Sequence, residues 1–301
     1  MAASAVAAHP VRPAAVAGAF YPADPSELAS LVDALLVRER GSITAASGIV
    51  APLAGLLVPH AGLIFSGAIA AAGWSLAERL LDDDATVVML GTNHGAWGLD
   101  GAAIWDAGAW RTPLGEVPVD EELAADIAAL GPPFAVDREA HGMEHSLEVQ
   151  LPFVSRALPR ARIVPISVGA GVGGTARAAG GRLGAMLARR RARGDRILLA
   201  ISTDMAHYPQ AAVCAGISDE LAPAILALDP WALARRERAV AESGLPGVAC
   251  GMCGIQPSVL GLAALRAMGV ERGYRLASAT SADAGGSPGR TVGYLAVAFP
   301  G

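Results

Sequence analysis

Lysine is absent from the 301-residue chain. Without its amine there is no Schiff base with a carbonyl substrate, no pyridoxal anchor and no P-loop. Cysteine is scarce: Cys214, Cys250 and Cys253 are too few for a disulfide framework or a four-thiolate iron–sulfur cluster. Long apolar runs are missing too. Hydrophobic residues make up 53% of the chain, but much of that is alanine, and no stretch reaches the roughly 18 uncharged apolar residues of a membrane span. A net charge of −5 leaves no electrostatic footprint for nucleic acid. The cluster Arg189, Arg190, Arg191 and Arg193 reads instead as the basic end of a helix. Met1 to Pro13 has no basic start followed by an apolar core, so no secretory signal is expected and residues 1–11 read as a disordered lead. The expectation is a soluble, cytoplasmic protein with neither nucleic acid nor membrane as a partner.

What the chain does have is histidine and carboxylate at the ends of apolar runs. Leu56-Leu57-Val58 delivers Pro59-His60-Ala61-Gly62, Val87 to Gly91 runs into Asn93-His94, and Ile197 to Ser202 runs into Asp204 and His207. Runs without alternation suit strands buried on both faces of a mostly parallel sheet, and ligands in such sheets sit beyond the carboxyl ends of the strands. The helical composition of 66–81, between the first two runs, makes a βαβ unit. Further strands are expected at Arg162 to Val168, Tyr274 to Ala279 and Val292 to Phe299, the last two paired with each other. Helices are expected after the N-cap Asp24, after Asp120, over about Thr175 to Arg193, Ser218 to Leu228 and Pro230 to Glu242, and from Gly251 to about Met268. A hairpin insertion occupies Ala102 to Gly115. With no repeat and no linker, residues 1–301 read as a single α/β domain whose central, mostly parallel or mixed sheet is flanked by helices.

A lone histidine is usually a hydrogen-bonded structural residue. His60 and His94 differ because each follows a buried strand and sits among small residues that leave room beside the ring, so both are candidate metal ligands. Neutral imidazole suits iron, copper and zinc, and two imidazoles with one anion leave open coordination positions. Asp204 reads either as a helix cap or as the partner of His207, three residues on, with His207 as the acid/base group. If 144 onward is helical, Glu144, His145 and Glu148 share a polar face that is solvated or lines a pocket. Cys253 opens a helix whose dipole favours thiolate. Cys250 makes a C-x-x-C pattern with it, and Cys214 reads as a small buried hydrophobe.

Taken together, the sequence resembles the Memo family, the AmmeMemoRadiSam system protein B group of prokaryotes. The resemblance runs through Arg12-Pro13, Ala17-Gly18-Ala19-Phe20-Tyr21-Pro22, Pro59-His60-Ala61-Gly62, Gly91-Thr92-Asn93-His94 and Arg111-Thr112-Pro113-Leu114-Gly115. It continues through Glu144-His145-Ser146-Leu147-Glu148-Val149-Gln150-Leu151-Pro152, Ser202-Thr203-Asp204-Met205-Ala206-His207 and Cys253-Gly254-Ile255-Gln256-Pro257. It implies a fold like that of class III extradiol dioxygenases, with His60, His94 and Cys253 as the metal trio and Asp204 and His207 beside it. Asn93, His145 and Glu148 would line the pocket or support the ligands. In the dioxygenases the third ligand is a carboxylate, and a thiolate changes the electronics of the metal and is itself oxidisable.

The expected function is a mononuclear, oxidoreductase-like metal site of the dioxygenase type, with Fe(II) first and copper second. A metal-sensitive peptide- or protein-binding module on a vestigial pocket, and a zinc hydrolase, are the alternatives. The resemblance also implies association with a radical S-adenosylmethionine protein and an AMMECR1-like protein.

Overall fold

The apolar runs become the centre of an eight-stranded mixed sheet in the computed structural model, which describes residues 9–46, 49, 52–95 and 98–301. In chain order the strands are β1 (Val11–Arg12), β2 (Leu53–Val58), β3 (Thr86–Thr92), β4 (Ala102–Ile104), β5 (Ala109–Thr112), β6 (Gly115–Pro118), β7 (Phe134–Val136), β8 (Arg162–Val168), β9 (Ile197–Ser202), β10 (Tyr274–Thr280) and β11 (Gly293–Pro300). The helices are α1 (Pro25–Ala46), α2 (Leu63–Leu80), α3 (Glu121–Ala128), α4 (Leu151–Ala157), α5 (Ala176–Ala192), α6 (Ala211–Leu226), α7 (Pro230–Ala241) and α8 (Ile255–Ala267).

Strand order is β10-β11-β2-β9-β3-β8-β4-β7. The four central strands β2, β9, β3 and β8 are parallel, and every residue of β2 and β9 is buried. Alternation along β2 assigns its two faces. Leu56 and Val58 meet Gly73 of α2, whereas Gly55 meets Leu265 of α8. Both approaches depend on glycine: a Cβ on Gly55 would lie 2.6 Å from Leu265 Cδ2, and one on Gly73 would lie 2.7 Å from Val58 Cγ1. Helices therefore cover both faces, as near-continuous apolar strands require. The parallel register pairs Val58 with Ser202 and Ser202 with Gly91. The chain thus leaves β2, β9 and β3 at one level, and His60, Asp204 and His94 follow within three residues of those ends.

Several sequence expectations need correction. Val11 does not belong to a disordered lead: with Arg12 it forms β1, which pairs in parallel with β5, and Arg12 is buried. The expectation for residues 1–8 lies outside the described residues. The insertion divides. β5 and β6 form the expected hairpin, in a three-stranded sheet with β1, while β4 joins the main sheet between β8 and β7. No helix starts at Glu144; a single 3-10 turn spans Glu148–Gln150 and α4 begins at Leu151. Residues 144–147 instead form a tight turn in which Glu144 caps its own neighbour, accepting from the amide of Ser146. Asp24 and Asp120 do cap α1 and α3, each accepting from amides in the first turn. Among the described residues no helix is long and apolar enough to cross a membrane.

Candidate metal centre

Beyond the carboxyl ends of the parallel strands lies a cavity of about 480 Å³, with His60, His94, His145, Asp204, His207, Cys250 and Cys253 in its walls. Phe20, Ala61, Gly62, Tyr208, Ala249 and Val292 complete it. The ring centroids of His60 and His94 are 5.4 Å apart, those of His60 and His145 5.5 Å, and His94 and His145 stack at 4.5 Å. One nitrogen from each of these three rings falls within 4.8 Å of the others. Cys253 Sγ is 3.3 Å from His60 Nε2. The structure thus brings His60, His94 and Cys253 to one cavity together with His145, and the three imidazoles could hold a metal ion.

Each ring has a support on its far side. His94 Nδ1 faces Glu144 Oε1 at 3.0 Å, and the His94 amide donates to the other oxygen of the same carboxylate. Burial by itself would raise the Glu144 carboxyl, but the hydrogen bonds and charge of His94 bring it down to about 2. An ionised carboxylate only accepts, so Nδ1 of His94 carries a proton. His145 Nδ1 lies 3.5 Å from the same Glu144 oxygen. Burial pushes the His145 ring down to about 4 and His60 well below the ordinary histidine value. Both rings are therefore neutral at pH 7, the form that binds metals. Glu144 was legible in the sequence as a polar neighbour of His145, but its grip on His94, 50 residues away, was not.

Asp204 and His207 do not pair as expected. Asp204 Oδ1 accepts from the His60 amide at 2.7 Å, while His207 Nδ1 faces the Met205 carbonyl at 2.8 Å. The segment after β9 is irregular rather than helical, so a spacing of three does not bring the two side chains together. Burial raises the Asp204 carboxyl to about 7 against the pull of the His60 and Ala61 amides. His207 donates Nδ1–H to a carbonyl that can only accept, which leaves its Nε2 available; burial lowers its pKa.

Cys253 precedes α8, and its sulfur accepts from the Asp204 amide at 3.3 Å. Burial, followed by the Asp204 charge, pushes its thiol well up, and burial takes Cys250 to about 11. A cation reverses that tendency, because coordination deprotonates a thiol outright. Cys250 Sγ lies 3.7 Å from His207 Nδ1. Cys214 is fully buried, as expected of a small hydrophobe.

Two expected pocket residues act one layer back. Asn93 donates its amide to Ala140 O and Ser167 Oγ, both at 2.8 Å, which fixes the loop carrying His94. Glu148 is buried and accepts from Arg12 Nη1 and Tyr21 Oη at 2.5 Å each, and from the amides of Ala15 and Val16. It ties residues 12–21 across the entrance, where Phe20 packs 4.6 Å from His145.

Comparison with known proteins agrees with this arrangement of motifs. The family model described as "Memo-like protein" matches residues 12–298. A MEMO1 family protein of Methanopyrus kandleri is 35% identical over 96% of this chain and 98% of its own length. Another, from Methanocaldococcus jannaschii, is 34% identical over 94% of this chain and 97% of its own. A third, from Aquifex aeolicus, is 35% identical over 96% and 99%. With nearly the full length matched in each case, the chain belongs to the Memo family.

Proposed function

We propose that this protein is a mononuclear redox-metal protein, with His60, His94 and Cys253 as the metal ligands, His145 as a further imidazole of the same site, and iron(II) or copper as the ion. The observation that carries this reading is the convergence of three imidazole nitrogens within 4.8 Å of one another, beside a thiol 3.3 Å from one of them. The donor set fits such an ion: neutral imidazoles suit iron, copper and zinc, and a thiolate shifts preference towards the softer members. Iron or copper bound there would supply one-electron and dioxygen chemistry.

The chain's own residues supply the rest. Phe20, Tyr208, Ala249 and Val292 give apolar surface to a cavity of a size suited to a small molecule. His207, neutral and held through Nδ1 by Met205, presents Nε2 as the acceptor for a substrate proton. Asp204 holds the His60 turn through two backbone amides, which is a positioning role. Association with a radical S-adenosylmethionine protein and an AMMECR1-like protein, and a cytoplasmic location, belong to the same proposal.

The test is anaerobic reconstitution with iron(II), copper(I) and zinc(II), with the ion identified by anomalous scattering and dioxygen uptake then measured. One equivalent of iron or copper is expected, lost in a His60→Ala/His94→Ala variant. Full occupancy in that variant would exclude this site. Turnover by the zinc form without oxygen would move the reading to hydrolysis. Peptide binding that survives metal removal, with no turnover under any metal, would move it to a binding module.

A further inference from the structure

Behind His60 lies a chain of four buried groups whose hydrogen-bonding capacities leave one consistent assignment. Trp74 Nε1 is 2.9 Å from Gln150 Oε1. Indole nitrogen can only donate, so the oxygen of the Gln150 amide must face Trp74 and its nitrogen must face the other way. That nitrogen lies 2.8 Å from Pro59 O and 2.9 Å from Ser202 Oγ. Ser202 therefore receives a proton from Gln150. Its own single proton goes to Ser146 O at 2.6 Å, since a carbonyl can only accept. One lone pair of Ser202 Oγ is left, and His60 Nδ1 is 3.1 Å from it.

We infer that Ser202 is the positioning residue that holds His60 as the Nδ1–H tautomer, with Gln150 locking the hydroxyl. The opposite tautomer would turn the Ser202 proton towards His60 and leave two oxygens, Ser202 Oγ and Ser146 O, facing each other at 2.6 Å without a proton between them. All the groups involved are shielded: Trp74, Gln150 and Ser146 are fully buried, and His60 and Ser202 are 1% exposed. Water is thus not at hand to satisfy a wrong assignment, and an unmet buried partner is costly. The consequence is a bare Nε2 on His60, on the side where Cys253 Sγ sits. The device differs from that of His94, which leans on a carboxylate. Ser202 is neutral, so it orients the His60 ring without adding charge behind it.

The significance of this tautomer for metal binding rests on the proposed metal site, but the tautomer itself does not, and the test separates the two. Histidine-selective ¹⁵N labelling of the metal-free full chain, with two-bond ¹⁵N–¹H correlation spectra, distinguishes Nδ1–H from Nε2–H; the His60 signals are assigned by their loss in His60→Gln. The wild-type protein is expected to show His60 as Nδ1–H. Ser202→Ala is expected to populate Nε2–H, which can turn to Cys253, whereas Ser202→Thr keeps the hydroxyl and the wild-type pattern. Cobalt(II) affinity, measured by chelator competition, is expected to fall about 10- to 100-fold in Ser202→Ala, the usual cost of losing a partner behind a ligating histidine, and to recover in Ser202→Thr. An Nε2–H signal in the wild-type protein overturns the inference whatever the variants do, as does an unchanged tautomer in a folded Ser202→Ala. If the tautomer behaves as stated but cobalt affinity does not respond to either Ser202→Ala or His60→Gln, the metal site is wrong and the positioning role stands.

Discussion

His60 Nε2 and Cys253 Sγ lie 3.3 Å apart although 193 residues separate them in the chain. One follows β2 and the other precedes α8, and α8 packs on the face of the sheet that Gly55 opens for it. This proximity sets a soft donor beside the imidazoles of the cavity. Replacing the sulfur by oxygen should therefore act unequally on different ions. In Cys253→Ser, copper(I) affinity is expected to drop by more than the ~10–100-fold typical of an outer partner, and iron(II) affinity by less. Anaerobic chelator competition measures both. Unchanged copper(I) affinity would remove Cys253 from the donor set.

The sequence showed more of this site than of its supports, for a physical reason. His60, His94 and Asp204 were legible because unalternating apolar runs mark buried parallel strands, and whatever follows such strands collects at one end of the sheet. The four-strand parallel centre and the β10–β11 pair were legible on the same ground. The roles of Glu144 and Ser202 were not, because what they do depends on partners 50 and 142 residues away. Val11 was misread for a related reason: a two-residue strand has no periodicity, and its pairing with β5 is purely tertiary. The expected Asp204–His207 pair failed because that spacing brings side chains together in a helix, and the chain there is not helical.

Arg12 and Glu148 form an ion pair with both side chains at or below 1% exposure. Arg12 also reaches the carbonyls of His141 and Glu144, so the pair fastens the entrance segment to the turn that carries His145. Breaking one side of such a pair leaves a buried charge unmatched, a loss of about 3–5 kcal/mol. Glu148→Gln should lower the urea midpoint accordingly and speed hydrogen exchange at the amides of Ala15 and Val16, which donate to this carboxylate. A wild-type midpoint with slow exchange at both amides would show that the entrance segment is held by packing alone.

His141 supplies a pH dependence separate from the metal donors. It is fully buried, its Nε2 meets Ala103 O at 3.0 Å, and burial brings its pKa from 6.5 down to about 4. Its folded pKa lies below its unfolded one, so the unfolded chain takes up the proton first as pH falls. The stability from keeping this ring neutral is whole above about 6.5 and is lost progressively down to about 4. At 1.36 kcal/mol per pKa unit the full loss is on the order of 3 kcal/mol. Asp204, raised to about 7, works in the opposite direction between 3.8 and 7. In the metal-free protein, His141→Gln should flatten the fall of the urea midpoint between pH 6.5 and 4, and Asp204→Asn should steepen it. A slope that neither substitution changes would place the proton uptake elsewhere.

Gly91 stands near the end of β3, three residues before His94, where the 144–147 turn crosses the strand. A Cβ there would lie 2.5 Å from Ser146 Oγ and 2.7 Å from Leu147 Cδ2, and both residues are buried with no room to yield. The turn would have to move, and with it Glu144, whose carboxylate is anchored on the Ser146 amide and holds His94. Gly91→Ala should therefore cost about 1–3 kcal/mol as overpacking and, through displacement of Glu144 and His145, weaken cobalt(II) binding as well. Gly181 in α5 provides the contrast: nothing lies within 4 Å of a Cβ built there. Alanine at that position should stabilise the protein by roughly 0.5–1 kcal/mol through helix preference and leave metal affinity unchanged. Denaturation and metal titration on the two variants separate a general effect of removing glycine from one transmitted to the site. Equal metal affinity in Gly91→Ala and the wild type would mean that the 144–147 turn can shift without carrying the imidazoles with it.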